Sequence, residues 1–107
     1  MKFVVLFEDH PDAGADVRRN HMPEHLAFLE RNSHKVNAAG PLKTPGGQDA
    51  GGIWIVDAND AGEVDQLVKE DPFWPTGLRK SVRILAWNQV YAEGRRVGLN
   101  FDFRNVT

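Results

Sequence analysis

The two side chains in this sequence with the clearest chemical potential are a histidine and an aspartate, His25 and Asp71. His25 follows Met22-Pro23-Glu24 at the start of a helical pattern, and Asp71 stands where a second helical pattern meets Pro72. An imidazole beside a carboxylate is a ready general base, because the carboxylate fixes its tautomer and stabilises the imidazolium that forms. The two residues occupy equivalent places in two similar halves of the chain, so one sheet can bring them together.

Four strand patterns and two helical patterns position this pair. The strands are predicted over residues 3–7, 36–42, 53–56 and 81–91, and the helices over about 22–33 and 61–70. Pro23 fits the first turn of the first helix, where its missing N–H is not needed. Asn59 or Asp60 fits the N-cap of the second helix, and Glu63, three residues after Asp60, is placed as in a capping box. The order β-α-β-β-α-β predicts an α+β, ferredoxin-like fold with an antiparallel sheet and both helices on one face.

The pattern of apolar residues predicts which faces are buried. In the first helix, Met22, Leu26 and Leu29 follow i, i+4, i+7 and form the expected core stripe. In the last strand, Val82, Ile84 and Ala86 face one side and Arg83, Leu85 and Trp87 face the other, and Leu85 and Trp87 indicate that this second face is also apolar. A bare apolar sheet face is normally covered, which predicts a homodimer packed sheet to sheet. Alternation from Val97 to Arg104 predicts a fifth strand, so residues 92–107 extend a domain of residues 1–91.

Composition restricts the class of protein and its partners. The 107 residues are 41% hydrophobic and 26% charged, typical of one soluble globular domain. The net charge is −2, so we expect neither nucleic acid nor a membrane surface as a partner. The one basic cluster, Arg79, Lys80 and Arg83, is predicted to be a solvated strand edge. The absence of cysteine excludes disulfides and thiolate chemistry, and the short apolar run at the N-terminus favours a cytoplasmic location over a signal peptide.

Five short blocks over about residues 1–91 resemble the YCII-related (YciI-like) family in order and spacing. They are Pro23-x-His25-Leu26-x-x-Leu29, Ala39-Gly40-Pro41-Leu42, Gly52-Ile53-Trp54-Ile55, Asp71-Pro72-Phe73 and a closing strand through Trp87. The resemblance implies a dimeric α+β barrel of ferredoxin-like subunits with a His–Asp dyad on His25 and Asp71, and it places a family arginine on Arg18. It also implies a dehydrochlorinase-like lyase or an isomerase that acts on a small phenolic or ring-containing metabolite.

These residues suit such a reaction. Loss of chloride from a phenol needs a base for a hydroxyl proton, and a free imidazole titrates near pH 6.5, close to working conditions. We expect His25 to be the base, Asp71 its partner, and Arg18 or Arg19 to stabilise the developing anion. The candidate substrate-binding residues are Arg18, Gly40, Pro41, Trp54, Phe73 and Trp74, with Trp87 as a further ring for a stacking wall. The scheme requires neither a metal nor an organic cofactor.

Other interpretations of the same residues stay open. The pocket of a non-catalytic binding or dimerisation module could hold a metabolite with His25 as a hydrogen-bond donor only. His21 and His25 at i, i+4 are half of a zinc site, but zinc sites need three or four converging ligands. A third interpretation is oxygen-dependent monooxygenation of a quinol on the same type of barrel. The tryptophans are also suited to the core or to a dimer interface, and Asp71 before Pro72 is also a common helix stop.

Overall fold

In a computed structural model, two helices cover one face of a four-stranded antiparallel sheet. The structure describes residues 1–13 and 15–97. The elements are β1 (Lys2–Asp9), α1 (Ala15–Arg31), β2 (Val36–Lys43), β3 (Asp49–Asp57), α2 (Ala61–Glu70), β4 (Arg79–Ala86), β5 (Tyr91–Ala92) and β6 (Arg95–Arg96). A 3₁₀ turn, Trp74–Thr76, joins α2 to β4. The strand order β2-β3-β1-β4 confirms the predicted ferredoxin-like arrangement.

The core lies between the helices and the side chains on one face of the sheet. Val5 of β1 pairs with Trp54 of β3 and with Ile84 of β4, so these three side chains share a face. The buried apolar side chains of this core cluster are Phe3, Val5, Phe7, Phe28, Val36, Trp54, Val56, Ala58, Val64, Leu67 and Val68. The predicted division of β4, with Val82 and Ile84 on the core side, agrees with this register.

Helix α2 has the predicted bounds and a well-formed cap at each end. The carboxylate of Asp60 accepts a hydrogen bond from the Glu63 N–H at 2.9 Å, and the Glu63 carboxylate accepts one from the Asn59 N–H at 3.3 Å. The reciprocal bond of the capping box therefore reaches the residue before the N-cap rather than the N-cap itself. At the other end, Asp71 is the C-cap residue and donates its N–H to Val68 O. The end of α2 thus fixes the position of Asp71 at the edge of the core.

Helix α1 differs from the prediction in its start and in its buried face. It begins at Ala15, so Pro23 lies inside the helix and not in its first turn. A proline there leaves the Arg19 carbonyl without its helical donor. Leu26 is 48% exposed, whereas His25 and Phe28 are buried. The inward face is therefore centred on His25 and Phe28, and the predicted stripe through Leu26 was wrong by about one residue of helical rotation.

The last strand and the tail also depart from the prediction. Strand β4 ends at Ala86 rather than at Tyr91, and β5 pairs with β6 as a small hairpin. Its turn residues Glu93 and Gly94 both have positive φ, as a type I′ turn requires. The fifth strand predicted from Val97 to Arg104 lies outside the described residues, apart from Val97 itself. In the part of the chain that is described, no helix is long and apolar enough to cross a membrane.

The other face of the sheet has no helix over it among the described residues. Val4 pairs with Ile55 on one side and with Leu85 on the other, so these three side chains form an apolar row. Leu6 and Ile53 extend the row along β1 and β3. Leu85 is 40% exposed and Trp87 39% exposed. We call this surface, formed by Val4, Leu6, Ile53, Ile55 and Leu85, the open sheet face.

Candidate functional site

The structure brings His25 and Asp71 into direct contact. Nδ1 of His25 lies 2.8 Å from Oδ1 of Asp71, across 46 positions of sequence. The two residues are buried, with 7% and 2% of their surface exposed. A carboxylate can only accept a hydrogen bond, so Nδ1 carries the proton and Nε2 carries the lone pair. The arrangement leaves His25 with one basic nitrogen.

Local backbone geometry holds the Asp71 carboxylate in place. Pro72 cannot continue the helix, and Asp71 has extended backbone angles of −64° and 133° at the end of α2. The chain then turns so that the Phe73 N–H donates to Oδ1 of Asp71 at 3.1 Å. The Trp74 N–H donates to the Asp71 carbonyl at 2.8 Å, which continues the turn. The same carboxylate oxygen therefore accepts from Phe73 and from His25.

Two aromatic rings fix the plane of the imidazole. The ring of Phe73 stacks on His25, with centroids 4.3 Å apart and planes 29° apart. Trp54 lies on the core side, with its ring centroid 6.3 Å from that of His25. Trp54 is itself held by an edge-to-face contact with Phe7 at 5.1 Å. Stacking against Phe73 and the hydrogen bond to Asp71 together fix the orientation of the imidazole.

His25 lines a cavity of about 100 Å³ between α1, β2, β3 and the start of β4. Its walls are Arg18, Met22, His25, Leu26, Leu29, Ala39, Gly40, Pro41, Gly52, Ile53, Trp54, Phe73 and Arg79. For comparison, an apolar cavity of about 150 Å³ in a protein interior takes up benzene. The cavity of this protein is smaller than that but open on one side, so a molecule bound in it is no larger than about a single ring. Its lining combines an apolar wall with one imidazole and two guanidinium groups.

The two guanidinium groups share one carboxylate, and one of them was not expected here. Asp9 accepts a hydrogen bond from Nη2 of Arg18 and another from Nη1 of Arg79, the latter at 3.1 Å. The Arg79 guanidinium also lies over the Phe7 ring, 4.1 Å from its centroid. The side chain of Arg79 is 5% exposed. The prediction of a solvated strand edge was therefore wrong for Arg79.

A β-bulge explains why Arg79 faces inward. If β4 alternated regularly from Val82, Lys80 would lie on the helix side of the sheet and Arg79 on the open side. The register shifts between Glu8 and Asp9, so that Glu8 pairs with Ser81 while Asp9 pairs with Arg79. A bulge adds one residue to one strand and reverses the faces beyond it. Arg79 consequently turns into the cavity.

Two opposing effects act on the pKa of Arg79. Loss of hydration lowers the pKa of Arg79 below its ordinary value, and the hydrogen bond to Asp9 and the charge of Asp9 act to raise it. Arginine is protonated throughout the range in which proteins are stable. The cavity therefore holds a permanent cation beside the imidazole.

Six of the eight predicted site residues line the cavity: Arg18, His25, Gly40, Pro41, Trp54 and Phe73. Asp71 lies behind His25, and the structure does not bring Trp74 to the cavity. Trp74 belongs to the 3₁₀ turn, is 39% exposed, and is absent from the described lining. Arg19 is also outside, where it pairs with Asp16 one helical turn away. Arg18 rather than Arg19 thus lies with the imidazole.

Sequence reasoning missed Asp9 and Arg79. No periodicity marks Arg79, because the bulge that turns it inward breaks the alternation of β4. Asp9 stands at the end of an apolar strand, where a carboxylate ordinarily indicates the start of a loop. In the described ranges, no three side chains among His, Cys, Asp and Glu converge as a metal site would require.

Similar proteins are found among solved structures. The chain is 29% identical to 5-chloro-2-hydroxyhydroquinone dehydrochlorinase (TftG) from Burkholderia phenoliruptrix AC1100, in complex with 2,5-dihydroxybenzoquinone, with a TM-score of 0.72. This match covers 82% of the present chain and 94% of TftG. A dimeric protein of unknown function and ferredoxin-like fold from Bacteroides fragilis NCTC 9343 is 15% identical, with a TM-score of 0.49 over 78% of this chain and 90% of that one.

A third structure, Rv0793 from Mycobacterium tuberculosis, is 13% identical, with a TM-score of 0.46 over 82% of this chain and 94% of that one. No curated protein sequence matches the chain. The YCII-related domain matches residues 1–88, which contain both helices, all four strands of the main sheet, and the His25–Asp71 pair. The chain therefore belongs to the YCII-related domain family.

Proposed function

We propose that the protein is a cofactor-independent lyase that eliminates a small anion such as chloride from a hydroxylated ring, with His25 as general base. The observation that carries the proposal is the 2.8 Å contact between Nδ1 of His25 and Asp71, which leaves Nε2 basic beside a ring-sized cavity. The similarity to a dehydrochlorinase over most of both chains supports this class of reaction. An isomerase would use the same first step.

Two proton transfers by one base account for the elimination. His25 first takes a proton from a ring hydroxyl and returns it to the carbon that bears chlorine; the carbon becomes tetrahedral and a carbonyl forms. His25 then takes the proton of a hydroxyl conjugated with that carbon. The electron pair of the O–H bond becomes a second carbonyl, the ring double bond shifts, and the C–Cl bond breaks with its electron pair on chloride. The net loss is HCl, so the step needs neither an oxidant nor a reductant.

The cavity walls have distinct roles in this scheme. Trp54 and Phe73 are apolar wall residues of the cavity, and Gly40 and Pro41 form its wall at β2. Arg18 places positive charge where the hydroxyl oxygen becomes an anion. Asp71 stabilises the imidazolium after each proton transfer, because its carboxylate is already bonded to Nδ1.

We also infer that a second copy of the chain covers the open sheet face. Within residues 1–13 and 15–97, no helix lies over the apolar row through Val4, Ile55 and Leu85, and Leu85 and Trp87 remain exposed. Burial of such a row is favourable in water by about 25 cal/mol per Å². A charge at its centre, Leu85→Glu, should convert the dimer to monomers in sedimentation analysis. A wild-type protein that sediments as a monomer at micromolar concentration would contradict the inference.

Chloride release from 5-chloro-2-hydroxyhydroquinone tests the proposed reaction. His25→Gln removes the basic nitrogen, and the loss of a general base should lower kcat by about 10²–10⁴-fold. His34→Gln is the matched control, because His34 is exposed and lies outside the cavity lining. Equal rates for the two variants would contradict the role of His25. Saturable binding of the ring with no release of chloride by the wild type would support a binding module instead.

A further inference from the structure

We propose that Arg79 holds the anionic oxygen of the bound ring through its Nε–H group. This inference rests on the proposed function, because it names the charge state of the ligand that the cavity takes. It assigns to Arg79 a direct contact with the ligand, beyond its ion pair with Asp9. The class of ligand is a ring that carries an ionised hydroxyl group.

The first observation is a buried donor that nothing in the described chain uses. Nε of Arg79 is fully buried and has no hydrogen-bond partner among residues 1–13 and 15–97. Buried polar groups in proteins are almost always paired, because an unpaired donor loses its hydrogen bond to water and gains none in its place. Arg79 lines the cavity that contains His25, so an oxygen of a bound ligand is the natural acceptor.

The second observation is that other contacts fix the orientation of the guanidinium. Nη1 donates to Asp9 at 3.1 Å, and the guanidinium lies 4.1 Å from the centroid of the Phe7 ring and 5.3 Å from that of Phe73. A guanidinium is planar, and its donors point outward in that plane. The Asp9 bond and the aromatic contacts therefore hold the plane without engaging Nε–H. The donor is preorganised rather than free to turn away.

The third observation concerns the charges around the cavity. Asp9 is shared by Arg18 and Arg79, so this cluster of one carboxylate and two guanidinium groups carries one surplus positive charge. Asp71 pairs with His25 and balances the imidazolium once His25 has taken a proton. The surplus charge at the arginines then faces the anion that the same proton transfer creates. Proton transfer to His25 and anion binding at Arg79 therefore stabilise each other.

Gly52 leaves space for a ligand next to this guanidinium. A Cβ atom built on Gly52 would lie 3.5 Å from Nη1 of Arg79 and 3.4 Å from the Gly40 carbonyl, both ordinary contact distances. A larger side chain would extend into the cavity beside Arg79. Gly52, itself a wall residue of the cavity, thus places no side chain between the cavity and the Arg79 guanidinium.

A binding titration tests the proposal without requiring turnover. The anionic probe is 2,5-dihydroxybenzoquinone, a vinylogous acid that is ionised at neutral pH, and the neutral probe is hydroquinone. Arg79→Lys keeps a charge near Asp9 but removes Nε–H, and it should weaken binding of the anionic probe by about tenfold or more. Its affinity for hydroquinone should change less than about threefold, because hydroquinone presents no anionic oxygen to that donor. Arg83→Lys, the same change on an exposed neighbour of the strand, should alter neither affinity.

Equal loss of both probes in Arg79→Lys, or loss of neither, would overturn the proposal. The wild-type protein gives a second measurement that does not depend on the folding of a variant. The NMR signal of Arg79 Nε–H should shift on addition of 2,5-dihydroxybenzoquinone and not on addition of hydroquinone; an unmoved signal at saturation would also overturn it. Charge-selective binding in a protein that releases no chloride would contradict the proposed lyase activity alone.

Discussion

The ring of Phe73 stacks on the ring of His25 with centroids 4.3 Å apart, while the backbone N–H of Phe73 donates to Asp71. One residue thus orients both members of the pair, the imidazole through its side chain and the carboxylate through its main chain. The turn that begins at Pro72 makes this possible, because it brings the N–H of Phe73 back toward the preceding carboxylate. The local sequence Asp71-Pro72-Phe73 therefore encodes much of the geometry of the site.

We expect Phe73→Leu to lower kcat even in protein that remains folded. The variant keeps the N–H bond to Asp71 but loses the flat contact with His25, so the imidazole gains rotational freedom. Misplacement of a catalytic group can cost up to about 10²-fold, and we expect a loss of kcat of about tenfold. Trp74→Leu is the control, since Trp74 is a neighbouring aromatic residue outside the cavity lining. A greater loss of kcat in Trp74→Leu than in Phe73→Leu would contradict the assigned role.

Replacement of Asp71 by asparagine removes the negative charge of the side chain but keeps its shape. The amide oxygen can still accept from the Phe73 N–H, but it provides no negative charge for an imidazolium. We expect kcat to fall by about tenfold to 10⁴-fold, as when the carboxylate partner of a catalytic histidine becomes an amide. Measurement of chloride release should be accompanied by ¹⁵N NMR of His25, in which the wild type shows the proton on Nδ1. A wild-type protein with the proton on Nε2 would contradict the assigned tautomer.

Gly51 is a position where the backbone of the sheet leaves no space for a side chain. Its φ is +86°, and a Cβ atom there would lie 1.8 Å from the carbonyl oxygen of Phe7. Gly51→Ala should destabilise the protein by about 1–3 kcal/mol or more, because it combines an unfavourable φ with a backbone clash. Gly46→Ala, whose nearest neighbour is a side-chain atom 3.8 Å away, should change stability by less than about 1 kcal/mol. Urea unfolding of both variants measures the difference, and similar midpoints would contradict the prediction.

The Lys35–Glu63 ion pair gives a prediction about pH. A hydrogen bond from Lys35 lowers the pKa of Glu63 below its ordinary value of 4.5. The folded state therefore favours the ionised form, so the stability that this pair contributes is present above pH 4.5 and is lost as pH falls through the lower folded pKa. Lys35→Met should raise the pKa of Glu63, as measured by NMR titration of its carboxyl carbon. Lys69→Met, which removes the pairing with Asp65, should leave it unchanged.

Much of the fold follows from local patterns in the sequence. Helix α2 was predictable in type and bounds, because its cap residue Asp60, its apolar stripe and Pro72 agree with one another. Helix α1 was harder, because Pro23 resembles a helix start, and an exposed proline inside a helix is tolerated only when tertiary packing compensates for it. The contact of His25 with Asp71 was predictable once the two halves of the chain were recognised as equivalent.

The cation beside the imidazole could not be predicted from alternation. Arg79 faces the cavity only because the register shifts at Asp9, and the sequence contains no glycine or proline that marks this bulge. Trp74, in contrast, was predicted to bind the substrate but does not line the cavity. It is next to Phe73 in sequence, but the 3₁₀ turn sends the two side chains in different directions, one into the core and one to the surface. Residue type alone favoured both aromatics equally.

A crystal structure with 2,5-dihydroxybenzoquinone would give the distance between Nε2 of His25, the proposed general base, and the nearest ligand oxygen. We expect the ring to lie in the cavity against Trp54 and Phe73, with that distance at about 2.6–3.2 Å. A ring bound away from His25, or a ring in the cavity whose oxygens all lie beyond hydrogen-bond reach of Nε2, would contradict this role of His25.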